Sequence, residues 1–254
     1  MFEMLSEVFK DNSLVVSFAV IGVTMYISYL ISDKLTNGKF HGSAVAIIVG
    51  LVLAYFGGIT TGGENGLSDV GIFAGIGIMG GGMLRDFAIV ATAFGANIDE
   101  MKKAGLPGII SLLFGVVVSF VVGVSVALAF GYTDAVSLTT IGAGAGTYIV
   151  GPVTGSALGA SSAVITLSIA AGLVKSILTM IGTPFIAKYI GLNNPRSAIV
   201  YGGLMGTTSG VAGGLAATDP KLVPYGAMTA TFYTGIGCLL APSVLFLITR
   251  AIFG

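Results

Sequence analysis

An all-α polytopic membrane protein, with about seven transmembrane helices and a re-entrant glycine-rich hairpin, is the fold class this sequence predicts. Three observations carry that prediction. Of the 254 residues, 55% are hydrophobic and only 9% charged, with a mean hydropathy of +1.00, whereas soluble domains hold roughly 25% charged residues. Apolar stretches long enough to cross a ~30 Å hydrocarbon core recur along the chain. One of them, Ala163–Ala187, carries Lys175 at its centre, where a cation costs at least ~2.5–3.5 kcal/mol. A charge kept at that depth points to work on an anion; the plainer reading is a lysine that snorkels or pairs internally with a carbonyl.

Taken in order, the first span is Ser13–Ile31 and the second Ser43–Thr60, separated by the polar link Ser32–His41. The turn-rich segment Thr61–Gly66 follows, then a third span, Val70–Leu84, ending at Arg85-Asp86. Phe87–Gly105 reads as an interfacial amphipathic helix, because it finishes in Asp99-Glu100-Met101-Lys102-Lys103. Pro107–Gly131 is the fourth span. Leu138–Ala160 holds six glycines and Pro152, and each interior Gly costs ~1 kcal/mol and each interior Pro ~3 relative to Ala. Two half-helices meeting near Gly151-Pro152 fit better than one helix, and unwound backbone at membrane depth needs protein or a wet cavity around it. The Lys175 span is the fifth crossing. A second interrupted segment, Ser197–Thr218, centres on Gly206-Thr207-Thr208-Ser209-Gly210 and is counted as a crossing. Asp219-Pro220-Lys221 turns the chain into the last span, Tyr225–Phe253.

Charge counting places the loops. With the hairpin re-entrant, Lys34, Lys39, Arg85, Lys102, Lys103, Lys188, Arg196 and Arg250 fall on one side and only Lys10 and Lys221 on the other. The positive-inside rule then puts the N-terminus outside and the C-terminus inside. The chain reads as a single membrane domain: an N-terminal half over 1–131 with scaffold-like spans, a broken-helix substrate and ion region over 138–218, and a last span over 225–254. Gly77-Ile78-Met79-Gly80 recurs as Gly203-Leu204-Met205-Gly206. With these two segments running in opposite directions, the match suggests an inverted repeat of the kind secondary transporters use.

Other classes are excluded by composition. Cys238 is the single cysteine, so there is no internal disulfide and no cysteine-based metal cluster. Net charge is zero and no basic tract offers itself to nucleic acid. Met1–Asn12 carries acids in place of a basic leader, so no cleavable signal peptide is expected. No histidine lies in a span, and there is no metalloprotease or intramembrane aspartyl pattern, so the chain is not expected to be an enzyme.

Carboxylates bind at unwound half-helix N-termini, where free N–H groups and the positive dipole end point at them. The hairpin offers Thr147, Thr154 and Ser156 for this, and the second break offers Thr207 and Ser209. Lys175 supplies a full charge and Arg85 a second one. Two such subsites suit a small dicarboxylate. Gly151, Gly155 and Gly159 form overlapping GxxxG units and read as packing. All carboxylates lie in or beside loops, so a proton relay is poorly supplied, whereas sodium needs only oxygen ligands. Thr139, Thr140, Gly144 and Thr208 are candidates for it. Asn97 and Asp219 are further oxygens, for which helix capping is the alternative. No organic cofactor is expected. The competing readings are a proton-coupled carrier of another organic anion, or an accessory or scaffold membrane subunit without its own substrate site.

The runs Gly80–Gly95, Gly142–Gly155 (GAGAGTYIVGPVTG) and Gly202–Gly210 (GGLMGTTSG) resemble the M subunit family of the two-component malonate:sodium symporter. The resemblance extends over essentially the whole chain. It implies sodium-coupled uptake of malonate across a bacterial inner membrane and an obligate partner, the smaller membrane L subunit. It supplies no residue-level site. An odd number of crossings would leave one repeat incomplete, so the partner is expected to complete it.

Overall fold

The computed structural model describes residues 2–37, 42–63, 66–79 and 98–254, and every regular element among them is helical. The chain divides into two compact units, Met1–Phe94 and Gly95–Gly254. In the first unit, α1 (Phe2–Asp11), α2 (Ser13–Thr36) and α3 (Gly42–Thr61) are followed by 3-10 turns at Gly66–Asp69 and Gly71–Phe73 and by the short α4 (Gly75–Ile78). The packing of α2 shows which solvent the helix is built for. Its buried residues are Ser17, Ser28 and Ser32, while Val15, Phe18, Val23 and Tyr26 stand exposed. Water would favour the reverse arrangement; a bilayer favours small polar residues inside and apolar ones outside.

The second unit begins with α5 (Ile98–Ala129), kinked at Gly105, whose φ of 49° is one that glycine adopts at little cost. Then come α6 (Ala135–Gly146), α7 (Val150–Leu158), α8 (Ser162–Ile186), α9 (Pro195–Met205) and α10 (Thr208–Ala216). The chain ends in α11 (Val223–Leu240), a π-turn at Ala241–Leu245 and α12 (Phe246–Phe253). A π-turn beginning beside Pro242 is expected, since proline removes one donor from the helical ladder. Thus the span 107–131, grouped from sequence with the N-terminal half, packs in this second unit against α6 and α9.

Both interrupted segments are helical hairpins. In the first, a Cβ at Gly144 of α6 would lie 2.2 Å from the Ser168 carbonyl, and one at Gly151 of α7 2.4 Å from the Ser168 hydroxyl. A Cβ at Gly155 would meet the Thr140 methyl at 2.8 Å. Both limbs therefore pass Ser168 of α8, with α7 running back along α6. These glycines are required by close backbone approach. In the second, Tyr201 of α9 hydrogen-bonds Thr183 of α8 at 2.6 Å. A Cβ at Gly214 of α10 would lie 2.2 Å from the same Thr183 hydroxyl. The break between them, at Thr207, meets Ser176. So α9 reaches α8 through the Tyr201 side chain, the break meets it at Ser176, and α10 packs along it back to Thr183.

This corrects three expectations. Ser197–Thr218, counted from sequence as a crossing, consists of two short helices, α9 and α10, that both reach Thr183. The described part of the expected span 70–84 is not a continuous helix, being a 3-10 turn followed by α4. Four helical stretches are long and apolar enough to cross a membrane among the described residues: Ser13–Thr36, Gly105–Ala129, Ala163–Ile186 and Pro220–Phe253. The apolar α3, at twenty residues, is a fifth helix of similar length. The interfacial helix expected over 87–105 lies mainly outside the described residues.

The internal repeat also takes a different register from the one expected. Each hairpin is followed by a long helix, α6–α7 by α8 and α9–α10 by α11, and the two sets are offset by about sixty residues. Asp134 caps α6 by accepting from the Ser137 N–H at 2.8 Å, and Asn194 caps α9 by accepting from the Ser197 N–H at 3.0 Å. Gly142 and Gly146-Thr147 correspond to Gly202 and Gly206-Thr207. Both threonines are extended, with φ −159° and ψ 148° at Thr147 and φ −93° and ψ 111° at Thr207. The sets run oppositely, because α8 and α11 pass the two tips in reverse order: α8 meets Tyr148 at Gly172 and then Thr207 at Ser176, while α11 meets Gly206 at Tyr233 and then Val150 at Gly237. Both hairpin–helix sets lie within this chain.

Candidate functional site

The two tips converge on Tyr233, which is 1% exposed. A Cβ at Gly206 would touch its ring at 2.4 Å and one at Gly146 its hydroxyl at 3.4 Å. The Tyr233 hydroxyl donates to the Gly115 carbonyl of α5 at 3.1 Å, which fixes the ring between the hairpins. Lys175 approaches the same ring, its Nζ 5.2 Å from the centroid. The ammonium donates to Ser119 Oγ at 2.8 Å and to the Gly146 carbonyl at 2.9 Å. Gly146 ends α6, where unpaired carbonyls carry the negative end of the helix dipole, so the lysine caps the first limb of hairpin one. An ammonium has three donors, and one remains for a ligand.

That ammonium is half-buried at the wall of a cavity of about 780 Å³ between α5, α6 and α8. Ser119, Lys175 and Thr179 are its polar groups, Ala145 brings in the end of α6, and Leu204 and Met205 bring in the end of α9. The remaining wall is apolar. The Lys175 side chain and residues at the C-terminal ends of both first limbs border this space.

The sequence-selected residues fall into groups. Thr147 and Thr207 sit at the two tips, 2% and 0% exposed. Thr147 Oγ1 accepts from the Ile149 N–H at 3.4 Å, and Thr207 Oγ1 caps α10 by accepting from the Gly210 N–H at 3.4 Å. Thr208 and Ser209 open α10, and the Ser209 hydroxyl is buried without a partner among the described residues. Thr154 is fully buried on the return limb α7, and its hydroxyl is likewise unpartnered. Ser156 lies on the exposed side of α7, away from the tip. Thr139 and Thr140 are turned to their own helix, donating to the Ala135 and Val136 carbonyls at 2.6 and 2.8 Å, and Gly144 packs on Ser168. The suggested sodium set is thus spread over both hairpins and not gathered at one point. Asp219 caps the short turn Pro220–Leu222 through the Lys221 N–H. Arg85 and Asn97 lie outside the described residues.

Ser119, Ser176 and Tyr233 are the tip contacts that sequence reasoning passed over. Ser119 and Tyr233 lie within apolar spans, where neither stands out. The sixty-residue offset of Gly146-Thr147 and Gly206-Thr207 was available as a signal for the tips, and through them for the residues that touch them.

Apolar spanning helices, serines turned inward and two broken-helix hairpins define a multi-pass helical membrane protein. The family model described as "Malonate/sodium symporter MadM subunit" matches residues 5–253, nearly the whole chain, and the chain belongs to that family. No curated protein and no solved structure matches it.

Proposed function

We propose that this chain carries malonate together with sodium across the cytoplasmic membrane, as the large subunit of a carrier completed by a smaller membrane subunit. The family supports the substrate and the ion, and a family of transporter subunits supports a carrier over an enzyme. The observation that carries the site is the Lys175 ammonium, held where two helix breaks and a 780 Å³ cavity come together. One carboxylate of the dianion takes the free donor of Lys175, with Ser119 beside it. Arg85, chosen from sequence as a second cation, remains a proposal on the sequence alone.

The hairpins are read as re-entrant from opposite faces. At about 1.5 Å per residue the limbs are ~14–18 Å long, half a hydrocarbon core, so each pair reaches the midplane and returns. Within the second unit, folding back the second hairpin puts Lys102, Lys103, Lys188, Arg196 and Lys221 on one side and Arg250 on the other. The positive-inside rule then places the C-terminus outside, in place of the inside location expected from sequence.

A second reading is favoured by the bonds to Ser119 and Gly146: Lys175 as a purely structural cap of α6. Lys175→Met separates the two. As the anion's counter-charge, Lys175 is required, so the variant inserts, stays folded in detergent and loses malonate binding by roughly tenfold or more, the scale of one charged hydrogen bond. As a cap alone, it is dispensable for binding at equal protein stability or its loss unfolds the hairpin. Lys175→Met with wild-type malonate affinity ends the anion-site reading.

A further inference from the structure

The two hairpin tips are built alike but are not closed alike. At tip one the carbonyl end of α6 is covered by a tethered cation, the Lys175 ammonium on Gly146. At tip two the corresponding end of α9 has no such cover. The Gly206 N–H takes the Gly202 carbonyl at 2.9 Å. The carbonyls of Gly203 and Leu204 pack against Gly115 of α5, where an added Cβ would lie 2.2 and 2.9 Å from them, and among the described residues no hydrogen bond reaches those of Met205 and Gly206. A helix end buried without partners is not stable in a site closed to water, and Gly203 and Gly206 are both buried. The sixty-residue correspondence places Gly235 or Ile236 of α11 where the first set has Lys175, and neither can supply a charge.

Two hydroxyls stand directly at this uncovered end. Thr207, the next residue in the chain, hydrogen-bonds Ser176 of α8 through their side-chain oxygens, and both side chains are 0% exposed. Two residues on, the buried Ser209 hydroxyl is unpartnered. The oxygens at this end are all neutral, helix-end carbonyls and hydroxyls, and no group of three or more carboxylate, histidine or cysteine side chains that could hold a metal occurs among the described residues. Such hard neutral oxygens suit an alkali cation and do not suit a transition metal, and unwound helix C-termini are places where carriers hold one.

We propose that the end of α9, with the Thr207 and Ser176 hydroxyls, is the site of the coupling sodium ion, the exchangeable counterpart of the Lys175 ammonium at the other tip. This rests on the reading of the chain as a sodium-coupled anion carrier. Lys175 and Ser176 are consecutive on α8, so they point about 100° apart, one to each tip, and the cavity wall runs from Lys175 to Leu204 and Met205. A dicarboxylate in that cavity then lies between a fixed cation and a bound one. Without sodium the dianion has a single counter-charge; without the anion, sodium faces an ammonium of like sign. Each ligand therefore raises the affinity of the other by the same factor, as linkage requires.

The test is the sodium dependence of labelled malonate uptake by the reconstituted complex. The variants are Ser176→Ala, the near-isosteric Ser176→Cys and the hydroxyl-retaining Thr207→Ser, with Thr249→Ala as a control that removes a buried hydroxyl bonded to the Leu245 carbonyl of its own helical stretch. The site requires Ser176→Ala and Ser176→Cys to raise the half-saturating sodium concentration roughly tenfold or more, the scale of one lost ligand. Thr207→Ser and Thr249→Ala stay near wild type, and malonate affinity at saturating sodium is largely kept. Ser176→Cys keeps the volume, so a folding failure confined to Ser176→Ala leaves the test standing. If detergent-purified Ser176→Cys is itself unstable, sodium against choline is compared as a stabiliser of the wild-type and Thr207→Ala complexes; equal sodium protection of both overturns the site. Wild-type uptake indifferent to sodium overturns the symport reading as a whole. Wild-type uptake that needs sodium, with the Ser176 variants unchanged in half-saturation, overturns this site alone.

Discussion

Lys175 is satisfied in two of its three donors by Ser119 and Gly146, so one residue is both a helix cap and a charge at the edge of a cavity. The two buried hydroxyls without partners, at Thr154 and Ser209, pose the opposite question. An unpaired buried hydroxyl costs about 1–3 kcal/mol, and a chain that needed only packing there would do better with an apolar isostere. Thr154→Val tests this. Apo thermal stability is expected to hold or rise, while the malonate or sodium requirement grows severalfold. A Thr154→Val protein that is less stable and transports normally would show that the hydroxyl belongs to packing alone. Thr147→Ala differs, since Thr147 Oγ1 takes the Ile149 N–H at the tip; its loss is expected to loosen the tip as well as weaken binding. The polar residues at the breaks were legible in the sequence because Thr and Ser amid Gly stand out. Ser119, Ser176 and Tyr233 were not, because in a membrane helix a serine or tyrosine has many neutral uses and only the fold shows which tip it meets.

At the scale of elements, the two hairpins differ in how they start. Asp134 opens the first and Asn194 the second, each capping a serine N–H three residues on. Burial, the largest influence on the Asp134 carboxyl, pushes its pKa up, but hydrogen bonds from Ser137 and neighbouring N–H groups outweigh it and hold the group below the usual carboxylate value. A depressed carboxyl stabilises the fold fully above its ordinary value and loses that contribution as the pH falls through its folded value. The protection factor of the Ser137 amide is therefore expected to fall as the pH drops below about 4, while the Ser197 amide, capped by an asparagine that does not titrate, keeps its protection. Equal acid sensitivity at both amides would contradict the capping account. That Leu138–Ala160 is interrupted was legible because Gly and Pro crowd into it, but the break falls at Thr147–Ile149 and not near Gly151-Pro152, which lie in the first turn of α7, where proline is tolerated. The second hairpin was not, because Ser197–Thr218 has the length and hydropathy of a crossing, and its reversal is decided by contacts of both limbs with Thr183.

At the scale of the whole molecule, the opposed hairpins decide which loops share a side. In a Cys238→Ala background, Thr133→Cys and Gly254→Cys are expected to react with a membrane-impermeant thiol reagent from one face, and Lys188→Cys and Lys221→Cys from the other. Lys221→Cys labelling together with Thr133→Cys would restore the second segment to a crossing. The membrane class was readable from composition, and the family from three glycine-rich runs. The inverted repeat was sought in the right kind of place but matched to Gly77–Gly80, because a four-residue match in a glycine-rich chain has many registers. The caps at Asp134 and Asn194 lie sixty residues apart and offer a second register.

Labelled malonate uptake into proteoliposomes of the complex, under an inward sodium gradient with the pH gradient collapsed by an ionophore, tests the central claim most directly. The account predicts that uptake follows the sodium gradient and persists without the proton gradient, since the described residues place no carboxylate or histidine at the hairpin tips to carry a proton. Uptake that tracks the proton gradient and ignores sodium would contradict it.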